Sequence, residues 1–315
     1  MTGGPDRRRR SSLLRVGVSL GLLLGVGWLL GAGDVVARLA RFRAEWVAAG
    51  LTVSVLQVAA SAWRWRFTAG RLGIDLRLGA AWREYYLATF LNQVLPGGVA
   101  GDLSRAWRQA SQQTRLQAPA GSAVRAVILE RASGQLAMLL VALLSVAILP
   151  VALPALSRLV IIGIAIACAA LVVAAVVRAR RLASARGLAG RVWRDTRAAL
   201  LTGAALPIQL ASSLLIVGSY VAMYLMAARA VGIDTSWLTL APLVAPVLMT
   251  MLVPVTVAGW GLREGAAASL WGLAGLTPAD GVAISVAYGV LVLVSSSPGA
   301  LVLLLDPERG ASSGL

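Results

Sequence analysis

The chain is 315 residues long; 58% of them are hydrophobic, only 13% are charged, and the formal net charge is +16. Soluble globular domains hold about 45–50% apolar and about 25% charged residues, so the composition excludes that class and points to an all-α, polytopic integral membrane bundle. All 29 basic residues are arginine, and in such a protein they read as basic loops against anionic lipid, not as a nucleic-acid surface.

In chain order, residues 1–15 form a basic N-terminus, 16–305 a single transmembrane domain and 306–315 a short tail. The arginines of 7-RRRRSSLLR-15 ahead of an apolar run can mark a cleaved or twin-arginine signal, but five further spans favour a retained anchor. Full spans are predicted at 16–33, 46–63, 122–149, 157–177, 201–227 and 281–304, most near the ~20 apolar residues that cross a hydrocarbon core. Two more stretches, 80–101 and 239–275, are apolar but interrupted by Gly, Pro and polar residues. Cys168 is the single cysteine and there is no histidine, which removes intrachain disulfides, histidine metal sites and imidazole chemistry. Neither a metal nor a cofactor is expected.

Arginine placement sets the orientation. With the N-terminus inside and 80–101 entering and leaving on one side, segments 7–15, 64–77, 102–115 and 178–197 put nineteen arginines inside, against five on the outer loops. A full span at 80–101 would turn the seven arginines of 178–197 outward, against the positive-inside rule. The sequence therefore predicts six full spans plus two re-entrant helical hairpins in the cell membrane, with both termini cytoplasmic. The segment 178–197 reads as an amphipathic surface helix on anionic lipid. Trp63, Trp65, Trp82 and Trp193, each close to an arginine, read as interface anchors.

The two broken stretches echo each other. In 92-NQVLPGGVAGDLSR-105 and 250-TMLVPVTVAGWGLR-263 the shared pattern is P-x-x-V-A-G-x-x-x-R without a gap. The topology makes the second stretch enter from the opposite side, which is the pattern of inverted-repeat transporters. Pro96 and Pro254 each remove a backbone donor and disfavour helix just before them, while Gly97, Gly98, Gly101 and Gly259 permit the reversal. A new helix is expected to begin at Asp102 and near Gly261, its free N–H groups seating an anion. Arg105 and Arg263, one turn further on, add donors shaped for phosphate oxygens. Alternatively, Asp102 pairs with Arg105 at i,i+3 or only caps the helix, and Glu264 caps or pairs with Arg263.

Within 120-AGSAVRAVILERASGQLAMLL-140, Glu130 and Arg131 are adjacent and point about 100° apart, so they are not natural partners. The preferred arrangement sends Glu130 to a hairpin arginine and Arg131 to ligand or Asp102; snorkelling of Arg131 is the alternative. Tyr85, Tyr86 and Asn92 lie on the entering arm of the first hairpin, as packing residues or as site residues. The head-group candidates are thus Arg105, Arg131, Arg263, Asn92, Gly97, Gly98 and Gly101. Asp102, Glu130, Glu264, Pro96, Pro254 and Gly259 are candidates for gating or ion coupling.

The pattern N-x-x-L-P-G-G-x-x-G-D-x-x-R, from Asn92 to Arg105, resembles the flippase-like membrane domain of lysylphosphatidylglycerol synthases and its stand-alone relatives. Glu130–Arg131 with Gly134, and Pro254, Gly259, Gly261, Arg263 and Glu264, are similar to that family as well. The resemblance implies a domain that moves lipid between leaflets, with aminoacyl transfer carried by a separate soluble domain not expected in this chain. The segment 254-PVTVAGWGLRE-264 departs from the family's usual glycine-rich pattern, so a different head group is expected there.

Together these readings predict a non-enzymatic translocator of a phosphate-bearing lipid. Its partners would be membrane lipids, with no nucleic acid and with a homo-oligomer or a lipid-modifying enzyme as a possible associate. Arg105→Ala and Arg263→Ala are expected to cut translocation while sparing the fold. The alternatives are a non-catalytic partner of a lipid-modifying enzyme, or a membrane-embedded lipid glycosyl or phosphoryl transferase. The transferase would want a carboxylate pair for a metal, and Asp102 has no acidic neighbour in its motif.

Overall fold

Among the described residues, four helices are long and apolar enough to cross a membrane: Ala44–Arg71, Ala120–Ala147, Ala205–Ala230 and Pro278–Leu305. They correspond to the predicted spans 46–63, 122–149, 201–227 and 281–304. The computed structural model describes residues 43–95, 98–115, 120–148, 187–253 and 256–305. The predicted spans 16–33 and 157–177, Cys168, the N-terminus 1–15, the tail 306–315, and Pro96, Gly97 and Pro254 lie outside them.

In chain order the described helices are α1 (Ala44–Arg71), α2 (Leu78–Val94), α3 (Ala100–Arg115), α4 (Ala120–Ile148), α5 (Leu188–Thr196), α6 (Ala205–Ala230), α7 (Trp237–Met249), α8 (Leu262–Leu273), α9 (Pro278–Ser296) and α10 (Pro298–Leu305). A π-helical turn, Arg197–Leu201, extends α5, and a 3-10 turn, Thr250–Leu252, extends α7.

The same stop signal ends α1 and α6. Gly73 and Gly232 both have φ of 76°, a left-handed conformation that costs glycine no Cβ clash. Ile74 N–H donates to Ala69 O and Ile233 N–H to Ala228 O, each at 3.0 Å. Both turns are therefore Schellman motifs, and Ile74 and Ile233 are buried behind them. The sequence around both is Gly-Ile-Asp, a second echo between the halves that the loop-tip motif alone did not reveal.

After each turn comes a broken segment. In the first, α2 and α3 lie antiparallel: Arg108 Nε donates to Glu84 Oε2 at 2.6 Å, and Asn92 Nδ2 donates to Asp102 Oδ2 at 2.8 Å. Gly101 faces the Ala88 backbone so closely that a Cβ there would overlap the carbonyl. In the second, Ala258, Gly259 and Gly261 all have positive φ, at 48°, 81° and 88°. The chain reverses here before α8 starts at Leu262, as expected near Gly261. Asp102, by contrast, does not open its helix: α3 begins at Ala100, so Asp102 is a first-turn residue and not its cap.

Two of the long helices pack directly against each other. Arg43 N–H, just before α1, donates to Ala230 O at the end of α6, while Arg71 at the end of α1 reaches Ala198 O and Thr202 before α6 begins. The helices α1 and α6 are thus antiparallel. Around them sit two apolar cores. One gathers Trp65, Ile74, Ala81 and Ala123 in the N-terminal half; the other gathers Tyr224, Ile233, Leu243, Trp271 and Ile284, with Ala137 and Met138 from α4.

Two of the expected interface tryptophans are core residues. Trp65 is 0% exposed and Trp193 is buried. Trp63 and Trp65 are two residues apart on a helix and so point to nearly opposite sides, which leaves only Trp63 exposed. Of the expected surface helix 178–197, the described part is α5 and its π turn, with Arg191 and Arg194 exposed and Trp193 turned inward.

Candidate functional site

A stripe of polar side chains runs down α1 where an apolar helix needs none. Ser54, Gln57, Ser61, Arg64 and Thr68 follow alternating three- and four-residue steps, so they share one face. All five are buried. Arg64 Nη1 donates to Ser213 Oγ of α6 at 2.9 Å, and Gln209 Nε2 of α6 donates to Thr68 Oγ1 at 2.8 Å. Such charge is tolerated at membrane depth only facing the protein interior or a wet cavity.

Arg64 leads to Glu130 on α4. Its Nη2 donates to Glu130 Oε1 at 2.6 Å, while Arg105 Nη2 donates to Glu130 Oε2 at 2.9 Å and to Asp102 Oδ1 at 3.0 Å. The Arg105 guanidinium lies between the rings of Trp65 and Tyr85, 4.5 Å from each centroid. Arg131 closes the network by pairing with Asp102 and by donating to Gly98 O at 3.3 Å. Asn92 completes the hairpin tip: its Oδ1 accepts from Gly101 N–H at 2.8 Å. Three guanidinium groups thus face two carboxylates, an excess of one positive charge.

The second break holds a smaller, closed network. Arg263 Nη2 donates to Glu264 Oε1 at 2.7 Å, and Ser285 Oγ donates to the same oxygen at 3.0 Å. Glu264 Oε2 accepts from Gly261 N–H at 2.6 Å, so one carboxylate both caps α8 and neutralises the arginine. Arg263 is flanked by Trp260 and Tyr288, as Arg105 is by Trp65 and Tyr85.

Between the two breaks lies a cavity of about 210 Å³. Arg64, Asp102, Glu130 and Arg131 line it, with Asn92 and Gly98 from the first tip and Met251 and Ala258 from the second. The structure therefore gathers Asn92, Gly98, Asp102, Glu130 and Arg131 of the sequence candidates at one place. Arg105, Gly101, Arg263, Glu264 and Gly259 stand behind the wall and do not line it. The side chains of Arg105 and Arg263 are 0% and 1% exposed; removing Arg263 leaves buried Glu264 without a counter-charge, and removing Arg105 leaves Glu130 Oε2 and Asp102 Oδ1 without their shared donor. Sparing of the fold by Arg105→Ala or Arg263→Ala is thus not what this geometry predicts.

Sequence reasoning missed Arg64, counted as a loop charge, and Gln57. The polar stripe of α1 was the signal that would have found both.

A family model for the lysylphosphatidylglycerol synthase TM region matches residues 12–299. The chain belongs to that family. The match takes in the broken segments, three of the described spans and the fourth as far as residue 299, so membership implies a membrane protein with a lipid-related role. A comparison with curated protein sequences finds no match.

Proposed function

We propose that this family member moves a phosphate-bearing lipid between the leaflets of the cell membrane, the head group passing through the cavity between the two breaks. The observation that carries the reading is Arg131: it lines the cavity with its side chain 32% exposed, whereas Arg105 and Arg263 are sealed. Its partner Asp102 belongs to the hairpin tip. A phosphate that competes for Arg131 frees that tip, which couples binding to opening. The cavity is smaller than the ~300–1,000 Å³ that drug-sized ligands occupy, so it suits a head group whose acyl chains stay in the bilayer.

In this reading both breaks are re-entrant and enter from opposite faces, and both termini are cytoplasmic. The antiparallel run of α1 against α6 supports such an inverted arrangement. Arg105 and Arg263 hold the hairpins, and Asp102 and Glu130 carry the gating charge. The chain acts as a transporter and not as an enzyme, with membrane lipids as its ligands and no cofactor.

The test is purified protein in vesicles with fluorescent lipids. Translocation above protein-free vesicles, slowed at least about tenfold by Arg131→Gln, is the expected result. Vesicles with and without protein behaving alike would remove the reading in favour of a non-catalytic partner of another enzyme.

A further inference from the structure

The two breaks align without a gap over 99-VAGDLSR-105 and 257-VAGWGLR-263, yet the backbone treats them differently. In the first, Ala100 and Gly101 already belong to α3, and Arg105 is its sixth residue. In the second, Ala258 and Gly259 are left-handed, at φ of 48° and 81°, and α8 starts only at Leu262, so Arg263 is its second residue. One Val-Ala-Gly motif is thus wound into helix in one break and unwound in the other. The residues that follow it account for the choice. Leu103 of the first break stands opposite Gly261 of the second, and Asp102 opposite Trp260. Leucine is a good helix former where glycine is a poor one, and a first-turn aspartate favours the helix electrostatically where tryptophan does not.

The unwound form is strained. Among the described residues Ala258 is the one non-glycine residue with positive φ, a conformation that its Cβ disfavours. Two residues upstream, Thr256 is 2% exposed and its Oγ1 is buried without a hydrogen-bond partner, which is also unfavourable. What opposes winding is the helix cap: Gly261 N–H donates to Glu264 Oε2 at 2.6 Å, and Glu264 Oε1 accepts from Arg263. Strain of this kind collects where a segment switches between arrangements. The strained turn also reaches the cavity. Ala258 lines it, and so does Met251, against which Gly259 packs so closely that a Cβ would fall 2.6 Å from the Met251 Cγ.

We propose that the second break is a conformational switch in the cavity wall, in which residues 258–261 wind onto the start of α8 as residues 100–103 are wound in α3. Winding removes the left-handed turn at Ala258, breaks the cap between Gly261 and Glu264, and withdraws Ala258 and Met251 from the cavity, which opens on the side of the second break. The first hairpin keeps its form, tied to α4 through Arg105–Glu130 and Asp102–Arg131. The switch belongs to the backbone and needs no ligand, so it goes beyond the lipid reading and stands apart from it.

Cysteine labelling of the full chain in detergent tests the switch. In a Cys168→Ser background, Thr256→Cys is reacted with a water-soluble maleimide; winding carries residue 256 out of its buried position and exposes the thiol. Ala62→Cys, at a position 0% exposed in the N-terminal core, reports global unfolding. Ala258→Gly relieves the left-handed strain and weakens the wound helix, so labelling at 256 should slow about tenfold. Gly261→Ala strains the unwound turn and strengthens the helix, so labelling at 256 should quicken about tenfold. Labelling at 62 should be unchanged in both. A rate at 256 that follows the rate at 62 in both variants, or that is the same in the two variants, would overturn the inference. Neither result depends on lipid movement: the expected labelling in a protein that moves no lipid would uphold the switch and remove the translocation reading alone.

Discussion

Arg105 and Glu130, from different helices, meet at 2.9 Å with both side chains withdrawn from the surface. Glu130 is held from its other side by Arg64 at 2.6 Å. One carboxylate therefore bridges α1, α3 and α4. Glu130→Gln leaves two buried guanidinium groups without their shared counter-charge, which in comparable buried pairs costs about 3–5 kcal/mol. A large drop in the thermal midpoint in detergent is expected. A midpoint within a degree or two of the parent would show that the bridge does not hold the three helices.

Arg105 and Arg131 should separate in their effects. Arg105→Lys keeps the charge but loses the planar face held between Trp65 and Tyr85 and the placement of the single Nη2 that reaches both carboxylates. It is expected to lower stability strongly. Arg131→Gln removes a one-third-exposed partner of Asp102 and should lower stability little while slowing lipid movement. Thermal unfolding and translocation measured on the same preparations check both, and the reverse order of effects would count against the assignment.

Gly101 is a packing requirement. Any side chain there drives into the Ala88 backbone of the opposing arm, and backbone cannot swing aside as a side-chain end can. Gly101→Val is expected to cost at least about 1–3 kcal/mol by overpacking and to part α2 from α3. A cysteine pair engineered across the two arms would report this as slower crosslinking. Unchanged stability and crosslinking would mean that the arms are not closely packed in the membrane.

Acid should loosen the end of α6. Asp234 accepts from Arg229 at 2.7 Å and from Arg43 at 3.1 Å, and these hydrogen bonds hold its carboxyl below the usual carboxylate range. A lowered folded value means that the stabilisation is present above the unfolded value of about 3.9 and fades as pH falls through the folded one. The residue is fully exposed, so solvent screens the effect and it is expected to be small. Comparing thermal midpoints of the parent and Asp234→Asn at pH 7 and pH 3 should show the difference shrinking with acid. A difference that grew with acid would contradict the sign.

Much of this site was legible because membrane sequences make breaks and charges conspicuous. The Pro-Gly motif located the first hairpin, and helix geometry excluded a Glu130–Arg131 pair; it left Arg131 open between ligand, Asp102 and snorkelling, and the structure pairs Glu130 with Arg105 and Arg131 with Asp102. Arg64 was not legible by the same route. A count of arginines for topology treats every one near a span's end as a loop charge, yet α1 continues to Arg71 and carries Arg64 inward. Trp65 was misplaced for a related reason: a neighbouring arginine marks the interface only when both side chains share the outward face. Arg263 and Glu264 are also adjacent, yet they pair because the left-handed turn before α8 lets Glu264 fold back over its own helix end.

The charge around the cavity is one-sided. Among the described residues, the ionised side chains that line the cavity come from α1, α3 and α4, while α6 and α9 present only neutral groups to it and Arg263 and Glu264 of α8 stay sealed behind the wall. A permeating anion would thus meet a fixed attractive field on one flank of its route and bare dielectric on the other. In the proposed reading the passage is electrically lopsided, and the deepest resting point of the guest is displaced toward the N-terminal half.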